Sequence, residues 1–187
     1  MKKSSSLLLA VPAALLIWVS CGTPATDPMA AKHAEMMKAD SAEDARIAAQ
    51  EAVARAVFEM FNTGNTDELD AYVSADFVDH QKPPEVTTTG HQMIKDMFAL
   101  YRTSMPDLHQ EWLHASTSGD RTYIHYHLTG TNTGPYGDMP ATGKAMDVMG
   151  VDIIRFADGK AVEHWGYMEE AKMMEQLGMM GGEEEKK

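Results

Sequence analysis

The periodicity of the apolar residues changes once along this chain, and that change constrains the fold more than any other feature. Before Met105-Pro106-Asp107, apolar residues recur at helical spacing: Ile47, Val53, Val57, Phe58 and Phe61 in one segment, and Met93, Ile94, Met97, Phe98 and Tyr101 in another. After it the period falls to two. His109–Thr117 and Thr122–Thr131 alternate, with Ile124, Tyr126 and Leu128 on one face and Tyr123, His125 and His127 on the other. Ala145–Phe156 and Lys160–Tyr167 follow, joined by Asp158-Gly159, a strong hairpin turn. Helices first and antiparallel strands afterwards predict an α+β domain. In it, a curved antiparallel sheet is covered on its concave face by N-terminal helices. Such a sheet encloses an apolar pocket of the kind small ligands use.

Between the helical segments, Asn62-Thr63-Gly64-Asn65 stops the first, Thr66 caps a short helix over 67–73, and Asp76–His80 reads as a brief extended or turn segment. Ser41-x-x-Asp44 resembles a capping box and predicts a firm helix start there, with the stretch from Met29 helical only in part. A last short helix is expected over Glu169–Leu177, ending at Gly178.

The chain begins with Lys2, Lys3 and an apolar run from Leu7 to Val19, closed by Ser20 and Cys21. That run is shorter than the roughly 20 residues a membrane span needs, and it has the layout of a secretory signal. Trp18-Val19-Ser20-Cys21 resembles a bacterial lipobox. The resemblance implies a lipid on Cys21, a tether to the membrane and a place in the bacterial cell envelope. A plain secretory signal cut nearby is the alternative. Cys21 is the one cysteine of the chain, so an intramolecular disulfide is excluded. The expected organisation is a signal peptide over 1–20, a tether over 21–43, a folded domain over 44–178 and a charged tail over 179–187.

The formal charge is −12, more negative still once Lys2 and Lys3 leave with the leader. A chain this acidic lacks the cations that displace counterions from phosphates, so no nucleic-acid partner is expected.

Within the domain, Phe61-Asn62-Thr63-Gly64-Asn65, Met105-Pro106-Asp107-Leu108, Leu128-Thr129-Gly130-Thr131, Gly134, Pro140, Thr142-Gly143-Lys144, Arg155–Lys160, Glu163-His164-Trp165 and Gln176-Leu177-Gly178 follow one another in order. Together they resemble the SnoaL-like ester cyclase (polyketide cyclase) family of the nuclear transport factor 2-like superfamily. The resemblance implies a cone-shaped α+β fold and an intramolecular aldol-type ring closure with no metal or organic cofactor. It also implies a pocket aspartate two residues beyond His164, where this chain has Gly166. A pocket histidine of the family corresponds to Asp152, and the family's Gly-Thr-His is Gly130-Thr131-Asn132.

An aldol or enolisation step needs a base near the acidic carbon and a donor for the oxyanion. Asp152 is the first candidate, a carboxylate within the apolar stretch Val148–Ile154. It faces either the pocket or solvent. A two-residue turn at Asp158-Gly159 sets Asp152 opposite Trp165, and a one-residue bulge sets it opposite Gly166, whose missing side chain would leave room for a ligand. His164 is the second catalytic candidate, against the plain reading of a core histidine. Tyr126, Trp165, Gly166 and His80 are the expected ligand-binding residues, with Asp79-His80 either at the pocket mouth or in a turn. Glu163 is expected to pair with a surface cation such as Arg155. His125 and His127 have metal-ligand spacing but belong to the outward face, so no metal site is expected.

Two functions compete. One is a cofactor-independent cyclase or isomerase acting on a small, largely apolar carbonyl compound. The other is an envelope lipoprotein that binds such a ligand, or a protein partner, without turnover. A homodimer through the exposed sheet face is a third, weaker reading.

Overall fold

A computed structural model describes residues 27–179. These residues divide into two units, one ending at Ala39 and the other beginning at Asp40. Cys21, the leader and the charged tail beyond residue 179 lie outside the described residues.

Helix α1 is Pro28–Thr63. Pro28 stands where a missing N–H costs nothing, and the Asp27 carboxylate accepts from the Met29 amide at 3.0 Å. The helix therefore begins before Ser41, which is an interior position and not a cap. Strong helix formers (alanine, methionine, lysine and glutamate) fill residues 29–39 and carry it. In the second unit α1 buries Ala54, Phe58 and Met60. It ends where Gly64 takes a φ of +73° and its amide closes on the Met60 carbonyl.

The other helices are α2 Leu69–Tyr72, α3 Gly90–Ser104 and α4 Glu170–Leu177. Five strands, β1 Val73–Asp79, β2 His109–Ser118, β3 Arg121–Thr131, β4 Ala145–Ala157 and β5 Lys160–Met168, form one curved, unclosed sheet in the order β1-β5-β4-β3-β2. The four expected strands pair antiparallel. The segment expected to be a brief extended piece is a fifth strand, β1, lying parallel to β5, so the sheet is mixed. Its edge position suits a strand whose middle, Ser74-Ala75-Asp76, is too polar for a sheet centre.

The inner face of the sheet carries Ile124, Tyr126 and Leu128 from β3 and Met146, Val148, Ile154 and Phe156 from β4. They pack with Phe58 of α1 and with Met93, Ile94, Met97 and Phe98 of α3. One irregularity sets the site. Between β4 and β5 the register shifts after Arg155↔Glu163, the next pair being Phe156↔Ala161, so Val162 is the extra residue. This bulge places Asp152 opposite Gly166, one of the two registers the sequence allows.

Candidate functional site

The concave face encloses a cavity of about 670 Å³. Its walls are mainly apolar, with Phe58, Phe61, Phe77 and Phe98 among them and several methionines of α3, β4 and α4. The polar groups form a row across the sheet, from β1 through β5 and β4 and over β3 to β2. Asp79, His164, Asp152 and Gln110 each point inward from one of these strands, and all four line the cavity.

The four make a continuous chain of two hydrogen bonds and one close ion pair. Asp79 Oδ2 is 2.8 Å from His164 Nδ1, and Asp152 Oδ1 is 3.1 Å from His164 Nε2. The amide of Gln110 donates to Asp152 Oδ2 at 3.0 Å. Asn62, at the end of α1, fixes Gln110 in turn. Its side chain accepts from the main-chain N–H of Gln110 at 2.8 Å and donates to the main-chain carbonyl of Gln110 at 2.9 Å, as a neighbouring strand would. The other oxygen of Asp79 accepts from the Gln81 amide at 2.8 Å. Asp79 and Asp152 are both 8 % exposed. Carboxylates buried this far require partners, and the chain supplies them.

Burial opposes charge on His164, but the attraction of Asp152 and its hydrogen bonds with Asp152 and Asp79 outweigh it. The imidazole is pushed up to about 10. It is therefore an imidazolium at neutral pH. Tyr101 and Tyr126, also in the cavity wall, are pushed well above the ordinary phenol range, chiefly by burial and further by nearby Asp152. Their hydroxyls stay protonated and can donate.

Two glycines create this space. Tyr126 and Gly150 are directly paired on β3 and β4, and a Cβ at Gly150 would stand 2.3 Å from the Tyr126 hydroxyl. The absence of that carbon lets the ring lie across β4 into the cavity. At Gly166 a Cβ would stand 3.2 Å from both Asp152 Oδ1 and His164 Cε1. The lack of a side chain there keeps the inner face of the Asp152–His164 pair open.

The structure thus brings together Asp152, His164, Tyr126 and Gly166. It does not bring Trp165 or His80 into the cavity, contrary to expectation. Successive residues of a strand face opposite ways, so with His164 and Gly166 inward, Trp165 must point outward. There it stacks on His80, ring centroids 4.4 Å apart, and the Arg121 guanidinium lies 5.8 Å from the Trp165 ring centroid. His80 also meets Glu163 at 3.2 Å, and Glu163 pairs with Arg155 as expected. His127 lies against Asp147 and Glu111, and His125 stacks loosely on His114. Among the described residues no three histidines, cysteines or carboxylates are grouped to hold a metal ion.

Sequence reasoning missed Gln110 and Tyr101 and left Asp79 ambiguous. An available signal for Gln110 was its phase with Trp112 in an alternating strand. Asn132, where the resemblance implies a histidine, is fully buried but outside the cavity lining. It ties the 132–144 loop to α3 through Ser104 Oγ at 2.7 Å and the Thr142 amide at 2.7 Å.

A curved, open α+β sheet whose concave cavity holds ionisable groups defines a nuclear transport factor 2-like domain. Residues 51–177 match the SnoaL-like polyketide cyclase family, and the chain belongs to that family. Solved structures agree in fold. A candidate polyketide cyclase from Bacillus cereus is 24% identical, covering 71% of this chain and 83% of its own, with a TM-score of 0.60. TsrD from Streptomyces laurentii is 22% identical over 71% of this chain and 97% of its own, with a TM-score of 0.64. IdmH from Streptomyces antibioticus, a candidate polyketide cyclase, is 21% identical over 69% and 98%, with a TM-score of 0.59. At these identities the likeness concerns the fold alone. No curated protein sequence matches the chain.

Proposed function

We propose that this domain is a cofactor-independent acid/base catalyst of the cyclase or isomerase type, acting on a small, largely apolar carbonyl compound. The observation that carries the reading is the Asp152 carboxylate, buried in an apolar cavity beside the open space at Gly166. In this reading Asp152 removes a proton from the carbon next to the substrate carbonyl. The electrons pass to the carbonyl oxygen, and the protonated Tyr126 or Tyr101 donates to the oxyanion as it forms. The enolate then attacks a second carbonyl carbon of the same molecule, whose oxygen takes the proton back from Asp152, or it is reprotonated by Asp152 at another carbon. His164 and Gln110 position Asp152. The carboxylate comes from β4, across the strand pair from Gly166, where the resemblance expects it on β5.

We also propose that Cys21 is lipidated, which would tether the domain in the bacterial cell envelope. The lipobox-like Trp18–Cys21 supports this.

A second reading, ligand binding without turnover, is favoured by one feature. Each oxygen of Asp152 is already held by a partner, Gln110 on one and His164 on the other, as a group fixed for binding would be. Exchange of the α-protons of a bicyclic ketone such as tetralone in D2O, followed by NMR, separates the two. Catalysis predicts exchange that falls by about 10²–10⁴ on Asp152→Asn. Binding of the ketone without exchange in the native protein favours the second reading. Exchange appearing only in Gly166→Asp would show that this chain has lost the family's chemistry.

A further inference from the structure

The polar end of the cavity sets two carboxylates about one imidazole, and with both carboxylates ionised it carries net negative charge. His164 faces a carboxylate on each ring nitrogen, at 2.8 Å and 3.1 Å. Ionised carboxylates only accept, so a ring held between two of them bears hydrogen on both nitrogens. Two anions then surround one cation. The rest of the lining does not redress the balance. Lys82 is the other cation among the described lining residues, and its ammonium is turned to the main-chain oxygens of Val86 and Thr88. Glu85 and Glu170 add further acid to the lining. Each ring nitrogen of His164 already faces a carboxylate, so an anion approaching the ring meets those carboxylates first. The aromatic wall adds to the bias, because ring faces attract cations and not anions.

We infer that the cavity selects its ligand by charge, accepting a neutral or cationic polar group and rejecting a carboxylate or other anion. The inference rests on the proposed reading that the cavity is the ligand site. It narrows the substrate class to carbonyl compounds that carry no free acid, and it admits those that carry a basic amine.

Three probes of one shape test this: naphthylethylammonium, naphthylacetamide and naphthylacetate. Each is titrated calorimetrically at neutral pH into the protein, in dilute buffer and again at about 0.3 M salt. The whole chain is acidic, so a general field must be told apart from a local one. Charges separated by a few ångström in a partly dry cavity predict that the ammonium binds at least about tenfold more tightly than the acetate. The amide should fall between them, and the ratio should survive added salt. Asp152→Asn and Asp79→Asn each leave one carboxylate against the imidazolium. In either variant the ratio should contract to about threefold or less. Acetate binding as tightly as the amide in the native protein overturns the inference and leaves the pocket reading intact. A preference that vanishes with salt, or that neither substitution alters, also overturns it. If none of the three binds, the cavity is not a ligand site, and both readings fall.

Discussion

Replacing His164 by glutamine gives the strongest test of the electrostatics at this site. The imidazole is raised from its ordinary 6.5 to about 10 because, against the cost of burial, two carboxylates favour its charged form. Below about pH 6.5 the ring is protonated in both folded and unfolded chains, and the pairing stabilises the fold in full. Between about 6.5 and about 10 the unfolded ring loses its proton while the folded ring keeps it, so stability falls as pH rises. At about 1.4 kcal/mol per unit, the span corresponds to on the order of 5 kcal/mol. Urea denaturation at stepped pH from 6 to about 10.5 measures the slope. Other groups titrate in this window, so the quantity of interest is the difference between the native protein and His164→Gln. The native protein should lose several kcal/mol more across the window than the variant, which starts lower because two buried carboxylates have lost their shared partner. NMR of the imidazole gives the same answer directly. A His164 ring that titrates near 6.5, or equal slopes in the two proteins, would refute the reasoning.

Three further outcomes follow from the packing. Gly150→Ala forces a methyl against the Tyr126 hydroxyl, which it would meet at 2.3 Å. A loss of about 1–3 kcal/mol in urea denaturation is expected, together with weaker binding of cavity probes as the ring moves. Gln110→Leu strips Asp152 Oδ2 of its donor and should cost about 1–3 kcal/mol by the same assay. Asn132→Ala leaves Ser104 Oγ and the Thr142 amide without their buried partner. About 2–3 kcal/mol of stability should be lost, and hydrogen exchange should quicken across 132–144.

The architecture was legible because the change of period at Met105-Pro106-Asp107 reflects a real change of element, α3 giving way to β2. Strand β1 was not, because Ser74-Ala75-Asp76 breaks the alternation and its partner β5 lies more than eighty residues away in sequence. The β4–β5 register was open because the Asp158-Gly159 turn fixes where the hairpin folds back. It does not fix whether Val162 is looped out. Asp152 stood out as an acid in an apolar strand. Gln110 carried no such mark, since a neutral amide in a strand is ordinary until its neighbour is known. Expecting both His164 and Trp165 in the cavity conflicted with the period of a strand, and the structure resolves the conflict in favour of His164.

The same rule explains why β1 and β5 together form two acid–histidine pairs and one cavity site. In the parallel register of β1 and β5, Val78 lies beside Glu163 and Asp79 beside His164. Consecutive residues alternate faces, so Asp79-His80 and Glu163-His164 form one pair on each side of the sheet. Inside, Asp79 meets His164 at 2.8 Å, with Asp152 adding a second carboxylate. Outside, His80 meets Glu163 at 3.2 Å, where Arg155 also holds the carboxylate and the His80 side chain is 38 % exposed. The two pairs have the same chemistry and different surroundings. Water screens the outer pair, while the inner pair sits among aromatic and apolar walls where charge has few competitors. What turns a repeated dipeptide motif into a candidate site is therefore the cavity behind it, and that cavity depends on Gly150 and Gly166, two residues with no side chain of their own.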